Sequence, residues 1–132
     1  MSMSELCPCG KGKAFDQCCG RYLTGKQCAK TPEQLMRSRY SAYVLGGYGE
    51  YLFNTWHPMM SKQVTKEDLS EKLYQWTKLE ILNKTQKGDQ GTVEFKATFV
   101  DQHGNEKILH ENSFFQRLSG KWLYVGADVE SS

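Results

Sequence analysis

The hydrophobic period changes partway along the chain, dividing it into a helical part and a stranded part. At about 100° per residue, Leu35, Met36, Tyr40, Ala42, Tyr43 and Val44 fall on one broad face, which predicts an amphipathic helix. Thr31 is placed as its N-cap, Pro32 as its first helical residue and Gln34 three after the cap, while Gly46 and Gly47 stop it. Arg39 falls inside the apolar face and needs a partner there; Arg37, at the border, is expected to reach water. Tyr48, Tyr51, Leu52, Thr55 and Trp56 share the face of a second helix that Pro58 ends, so His57 is expected at its terminus. Thr65 and Asp68 predict the cap of a third helix with a buried stripe of Leu69, Leu73 and Trp76.

From residue 78 the period is two. Leu79 and Ile81 alternate with polar neighbours, and Val93, Phe95, Ala97 and Phe99 alternate with Thr92, Glu94, Lys96 and Thr98 along a half-buried strand. Turns are expected over 88–91 and 102–105, a strand mixed on both faces over 107–118, and a last strand over 122–125 after Ser119 and Gly120. The phase of that last strand leaves open whether Trp122 and Tyr124 face the core or an outer, dimer-forming surface. Helices first and antiparallel strands afterwards make an α+β fold, with a curved sheet wrapped over helices.

The stretch before the first helix has neither period. Residues 1–30 are too few to build an apolar core without a metal or disulfides, so the expected organisation is a small module over 1–30 and a domain over 31–132. Four of the five cysteines fall within residues 7–19: Cys7 and Cys9 flank Pro8, and Cys18 and Cys19 follow after a gap of eight. That spacing suits a closed tetrahedral shell, and a closed shell points to structural rather than catalytic zinc. Gly10 and Gly12 admit a tight loop, Lys11 and Lys13 lower the cost of ionised thiolates, and Phe15 gives the module an apolar anchor. A metal-free redox cluster is the competing reading, although an adjacent Cys18–Cys19 disulfide would be strained. Cys28 lies outside the spacing and reads as an ordinary thiol.

Composition narrows the classes. With 39% hydrophobic, 12% aromatic and 24% charged residues the chain is globular in type, which excludes a disordered one. No apolar run nears the roughly 20 residues that span a bilayer, so no membrane role is expected. The first residues lack the basic-then-apolar order of a secretion signal, so the expected compartment is the cytosol, where thiols stay reduced. The formal charge of +2 is uneven, since residues 1–30 hold five basic and two acidic side chains. A four-thiolate zinc centre carries a charge of about −2, so that excess is better read as balancing the site than as a nucleic-acid surface.

Cys7-Pro8-Cys9-Gly10, Gly12-Lys13, Phe15 and Cys18-Cys19-Gly20 resemble the SEC-C motif, a zinc-binding segment also found at the C-terminus of the SecA translocation ATPase, where it serves partner binding. Lys11 stands where the motif usually has Ser, and Cys19 where SecA uses His; the second change keeps a ligand. Residues 35–44, Thr55-Trp56-His57-Pro58, Glu111, Ser113, Phe115, Trp122 and Tyr124 resemble the YchJ family of bacterial proteins. That resemblance covers nearly the whole chain. It implies a SEC-C module joined to a nuclear transport factor 2-like, cystatin-type α+β domain, and it brings no established activity. The family's second SEC-C copy does not occur within these 132 residues, and its Asp-Gly after the last strand reads Gly126-Ala127-Asp128.

The cone-shaped fold so implied often has a cavity between helices and sheet. Candidate pocket residues are Arg39, Tyr43, Trp56, His57, Glu111 and Ser113, with Arg39 holding an anionic ligand and His57 or Glu111 handling a proton. Against this stands a buried Arg39–Glu111 ion pair, with His57 capping carbonyls at a helix end. No Ser-His-Asp order, phosphate-binding loop or His-Glu helix motif supports a named enzyme. Two functions follow: a zinc-binding adaptor presenting its cysteine module to a protein partner, or a small anionic-ligand or enzymatic pocket in the α+β domain. A redox switch in which thiol oxidation ejects zinc is a third.

Overall fold

Thr31 opens the longest helix as its sequence predicts. Its Oγ1 accepts the Gln34 N–H at 3.1 Å, Pro32 occupies the first turn, and Gly46 ends the helix at φ +72°. The computed structural model describes residues 6–59, 62, 65, 66, 69 and 74–129. In it helices α1 (Gly20–Leu23), α2 (Pro32–Leu45) and α3 (Gly49–Asn54) precede strands β1 (Gln75–Lys87), β2 (Gln90–Val100), β3 (Glu106–Leu118) and β4 (Lys121–Val129). The strands form an antiparallel meander in the order β1-β2-β3-β4, and register shifts at 76–78, 81–83 and 114–115 bend it. The architecture is therefore the expected α+β.

The core lies where α2 crosses the inner sheet face. Leu35 and Tyr40 of α2 meet Val93, Phe95 and Ala97 of β2, Phe115 of β3 and Trp122 of β4, all buried. Burying each such large side chain stabilises the fold by about 1.5–3 kcal/mol. Trp122 and Tyr124 thus face inward: Trp122 donates its indole N–H to the Lys30 carbonyl at 3.2 Å, and Tyr124 packs edge-on against Trp56. The same buried cluster takes in Cys7, Cys9, Cys18 and Cys19, so the cysteine segment is continuous with the core. Leu23, Ala42 and Leu52 form a second cluster.

Three expectations are corrected. The second helix ends at Asn54, short of Trp56, because β4 captures the chain: Tyr124 N–H donates to the Thr55 carbonyl at 2.7 Å and His57 N–H to the Tyr124 carbonyl at 2.8 Å. Trp76 belongs to β1 rather than to a third helix, because its backbone pairs with Phe99 and its ring packs on Tyr40 and Phe99. Of that helix Lys66 and Leu69 are helical, with Leu69 N–H donating to the Thr65 carbonyl, while Asp68 and Leu73 lie outside the described residues. Gly91 sits inside β2 and not in the turn. A Cβ there would overlap the Pro32 ring and approach the Thr85 carbonyl to 2.9 Å, so glycine lets the first turn of α2 lie against the sheet. Among the described residues no helix is long and apolar enough to cross a membrane.

Candidate metal centre and an adjoining cavity

The loop carrying Cys7 and Cys9 is closed by backbone bonds. Leu6 bridges Ala14, Cys7 N–H donates to the Lys13 carbonyl at 2.8 Å, and Gly10 N–H to the Cys7 carbonyl at 3.2 Å. Gly10 and Gly12 take φ of +83° and +85°, a region that side chains disfavour. A short 3-10 turn, Phe15–Gln17, then delivers Cys18 and Cys19 to the start of α1, where the Cys19 carbonyl accepts the N–H groups of Tyr22 and Leu23.

These turns bring the four sulfurs within 4.8 Å of one another, and all four cysteines are buried. A zinc–thiolate bond of about 2.3 Å implies a tetrahedral sulfur–sulfur edge of about 3.8 Å, so the donor set fits a metal ion. Cys9 and Cys18 Sγ are 3.6 Å apart, within S–H···S hydrogen-bonding distance, and none of the four cysteines is in a disulfide. Hydrogen bonds from Cys19 and Cys9 push the Cys7 thiol far below its usual range, whereas burial, with Cys9 next, pushes Cys18 up to about 11. The Cys19 thiol is raised by its hydrogen bonds to Cys7 and Cys9 and then by burial. Four thiolates cannot share this space without a cation to neutralise them. Cys28 is exposed and stands apart from the cluster.

Sequence reasoning missed what ties this centre down. Arg37, partly exposed at the border of the helix face, also holds protein groups: its Nη1 donates to the Cys9 carbonyl at 2.8 Å and its Nε to Glu33 Oε2 at 2.9 Å, and Glu33 in turn pairs with Lys84 of β1. Ser41, fully buried, lies 3.5 Å from Cys7 Sγ. Arg21 Nε donates to the Cys18 carbonyl at 3.0 Å and Nη2 to the Tyr22 hydroxyl at 2.9 Å. Lys11 and Lys13 are exposed on the loop, so the cations bonded to the cysteine segment are Arg21 and Arg37. The signal available was helical phase, which puts Arg37 and Ser41 together on the flank of α2 away from Arg39.

On that other flank a cavity of about 250 Å³ lies between α2 and the sheet. Arg39, Tyr43, Trp56, Glu111 and Ser113 all line it; His57 does not. His57 follows the Trp56–Tyr124 bridge, beyond the end of α3, and its Nδ1 accepts the Met59 N–H at 3.2 Å. Arg39 and Glu111 do not form the ion pair set against the pocket. Arg39 Nη1 instead donates to the Leu52 carbonyl at 2.7 Å and to Thr55 Oγ1 at 2.8 Å, and its guanidinium lies 4.7 Å from the Tyr124 ring centre and 5.5 Å from that of Trp56. Burial pulls the Arg39 pKa down and pushes the Glu111 carboxyl up. Burial, with Glu111 second, pushes the Tyr124 hydroxyl up to about 12. Among the described residues, Trp56 Nε1 and Ser113 Oγ are the buried side-chain atoms without a hydrogen-bond partner, and both residues belong to this cavity.

Comparison with known proteins agrees with these features. The family model described as YchJ, middle NTF2-like domain, matches residues 31–127. The chain is 41% identical over 129 residues to the UPF0225 protein plu2503 of Photorhabdus laumondii, covering 93% of this chain and 80% of that one. It is also 41% identical over 126 residues to the UPF0225 protein SCO1677 of Streptomyces coelicolor, covering 92% and 94%. The solution structure of RPA3114, a SEC-C motif containing protein from Rhodopseudomonas palustris, matches with a TM-score of 0.86 at 35% identity, over 95% of this chain and 98% of that one.

Proposed function

The chain belongs to the YchJ family (UPF0225), and from that premise we propose that it is a cytosolic zinc-binding adaptor whose cysteine module meets a protein partner. The observation that carries this reading is the closed shell: four buried thiols mutually within 4.8 Å make a complete ligand set and leave no position for a substrate. Cys7, Cys9, Cys18 and Cys19 would hold the ion, and zinc bound there supplies rigidity rather than catalysis. What the module offers outward is its loop. Gly10, Lys11, Gly12 and Lys13 are all exposed, and Leu6, bridged to Ala14 beside them, is 69% exposed. Two cations next to an apolar side chain suit an acidic segment carrying a hydrophobic residue. The likeness to a SEC-C motif protein points the same way, because in SecA that segment serves partner binding; by that analogy the partner is a chaperone, translocation or ribosome-associated protein.

Two measurements test the proposal together. Protein purified without added metal is expected to contain one zinc per chain, by elemental analysis. In pull-downs, partners held by the wild type are expected to be lost when Lys11 and Lys13 are both changed to Glu, in a variant that keeps its zinc. Recovery of the same partners by a protein with all four cluster cysteines changed to Ser would count against the adaptor.

A further inference from the structure

We propose that the cavity between α2 and the sheet binds a small organic carboxylate with an aromatic or similarly apolar body. This goes beyond the adaptor reading and does not depend on it. Arg39 is 3% exposed, yet the guanidinium's hydrogen bonds go to the neutral Leu52 carbonyl and Thr55 hydroxyl, and no carboxylate lies within ion-pair distance among the described residues. A buried cation without an anion is costly, and arginine does not shed its proton to escape the cost. An entering carboxylate finds a cation met by aromatic faces and neutral acceptors, with no counter-charge among the described residues.

The neighbouring groups ask for the same chemistry. Among the described residues Trp56 Nε1 has no partner and can act only as a donor, and the Ser113 hydroxyl, likewise without one there and on a residue 1% exposed, can donate as well. The remaining wall is apolar, with Met36, Tyr40, Trp76 and Phe95. Inorganic phosphate or sulfate would leave those surfaces unfilled, whereas an arene or branched acyl body buries against them. Among the described residues Glu111 is in no ion pair, and it shares the cavity with Arg39 and Tyr43 from α2 and Tyr124 from β4; β1 and β2 contribute the uncharged Trp76, Phe95 and Ala97. Burial pushes its carboxyl towards the neutral acid, which donates to a bound carboxylate instead of repelling it.

Titration of the isotopically labelled full chain with 3-phenylpropionate, 3-phenylpropionamide and 3-phenylpropylamine, each to about 10 mM, reads this through the Trp56 indole resonance, at concentrations suited to fragment affinities. The carboxylate is expected to shift that resonance and to bind at least about tenfold more tightly than the amide or the amine, a gap that one charge-assisted contact supplies. Binding tightens as the pH is lowered and Glu111 takes up its proton, and Glu111→Gln binds at least as tightly with that pH dependence gone. Arg39→Met removes the preference for the carboxylate; if that variant does not fold, the pH series and Glu111→Gln decide alone. Preference for the amine, equal binding of all three probes, or no indole shift with any of them overturns the proposal.

Discussion

The cysteine centre and the Arg39 cavity lie on different flanks of one helix and treat buried polarity in opposite ways. On the flank of Arg37 and Ser41, the groups around the cysteines are spoken for: the Cys9 and Cys18 carbonyls accept from arginines, Cys7 N–H from its loop donates to Lys13, and Ser41 meets sulfur. On the flank of Arg39 and Tyr43, a cation lacks an anion and two side-chain atoms lack partners among the described residues. Buried polar groups are nearly always satisfied, so orphans gathered in one place are what the proposed carboxylate site requires. A change on the first flank should therefore appear as lost stability, and a change on the second as altered binding.

The largest expected effect breaks the first flank at its metal shell. Cys9→Ser removes one of four ligands from a fully buried position, and structural zinc contributes on the order of 10 kcal/mol to small modules. Loss of stoichiometric metal is expected, with loss of amide dispersion across residues 6–23. Because Arg37 donates to the Cys9 carbonyl and Ser41 meets Cys7 Sγ, these two residues of α2 should shift as well, while Val93 and Phe95 on the far side of the core in β2 keep their positions. Amide spectra of the variant check this. Changes confined to residues 1–30 would mean that the module is a separate appendage and the two flanks are uncoupled.

A smaller effect tests the tie rather than the shell. Arg37→Ala deprives the Cys9 carbonyl of its donor and is expected to cost about 1–3 kcal/mol by chemical denaturation with zinc retained. It also carries a pH signature through Glu33. Burial raises that carboxyl, but the bonds from Lys84 and Arg37 more than offset it, so the folded pKa is depressed. The stabilisation is present above the unfolded pKa of about 4.3 and is lost as pH falls through the folded value. The acid limb of the stability profile should flatten in Arg37→Ala; an unchanged limb would show that Lys84 alone holds Glu33.

What was legible in the sequence is what local chemistry decides. The cap at Thr31, the inward phase of Arg39, the alternation of β2 and the four clustered cysteines each depend on residues a few positions apart. The misreadings came from partners distant in sequence. Trp56 left its helix because Tyr124 offered backbone bonds, Trp76 joined a strand because Phe99 lay opposite, and Gly91 is dictated by Pro32 and not by a turn. The bond from Arg37 to the Cys9 carbonyl was not legible for the same reason, since that acceptor lies 28 residues earlier. Five of the six candidate pocket residues do line one cavity, but the pairing of Arg39 depended on how α3 ends, and that end is set by β4.

The smallest effect probes the second flank with one atom. Ser113 Oγ is buried and unpartnered, and such a group costs about 1–3 kcal/mol relative to one that is satisfied. Ser113→Ala exchanges the orphan for hydrogen in a position of unchanged shape. The urea midpoint should rise at constant m-value by the equivalent of about 1 kcal/mol, while carboxylate binding weakens. Gain of stability with loss of binding is what an unfilled site predicts. If the variant instead loses about 1 kcal/mol or more, the hydroxyl already has a partner, and this flank is as closed as the one that faces the cysteines.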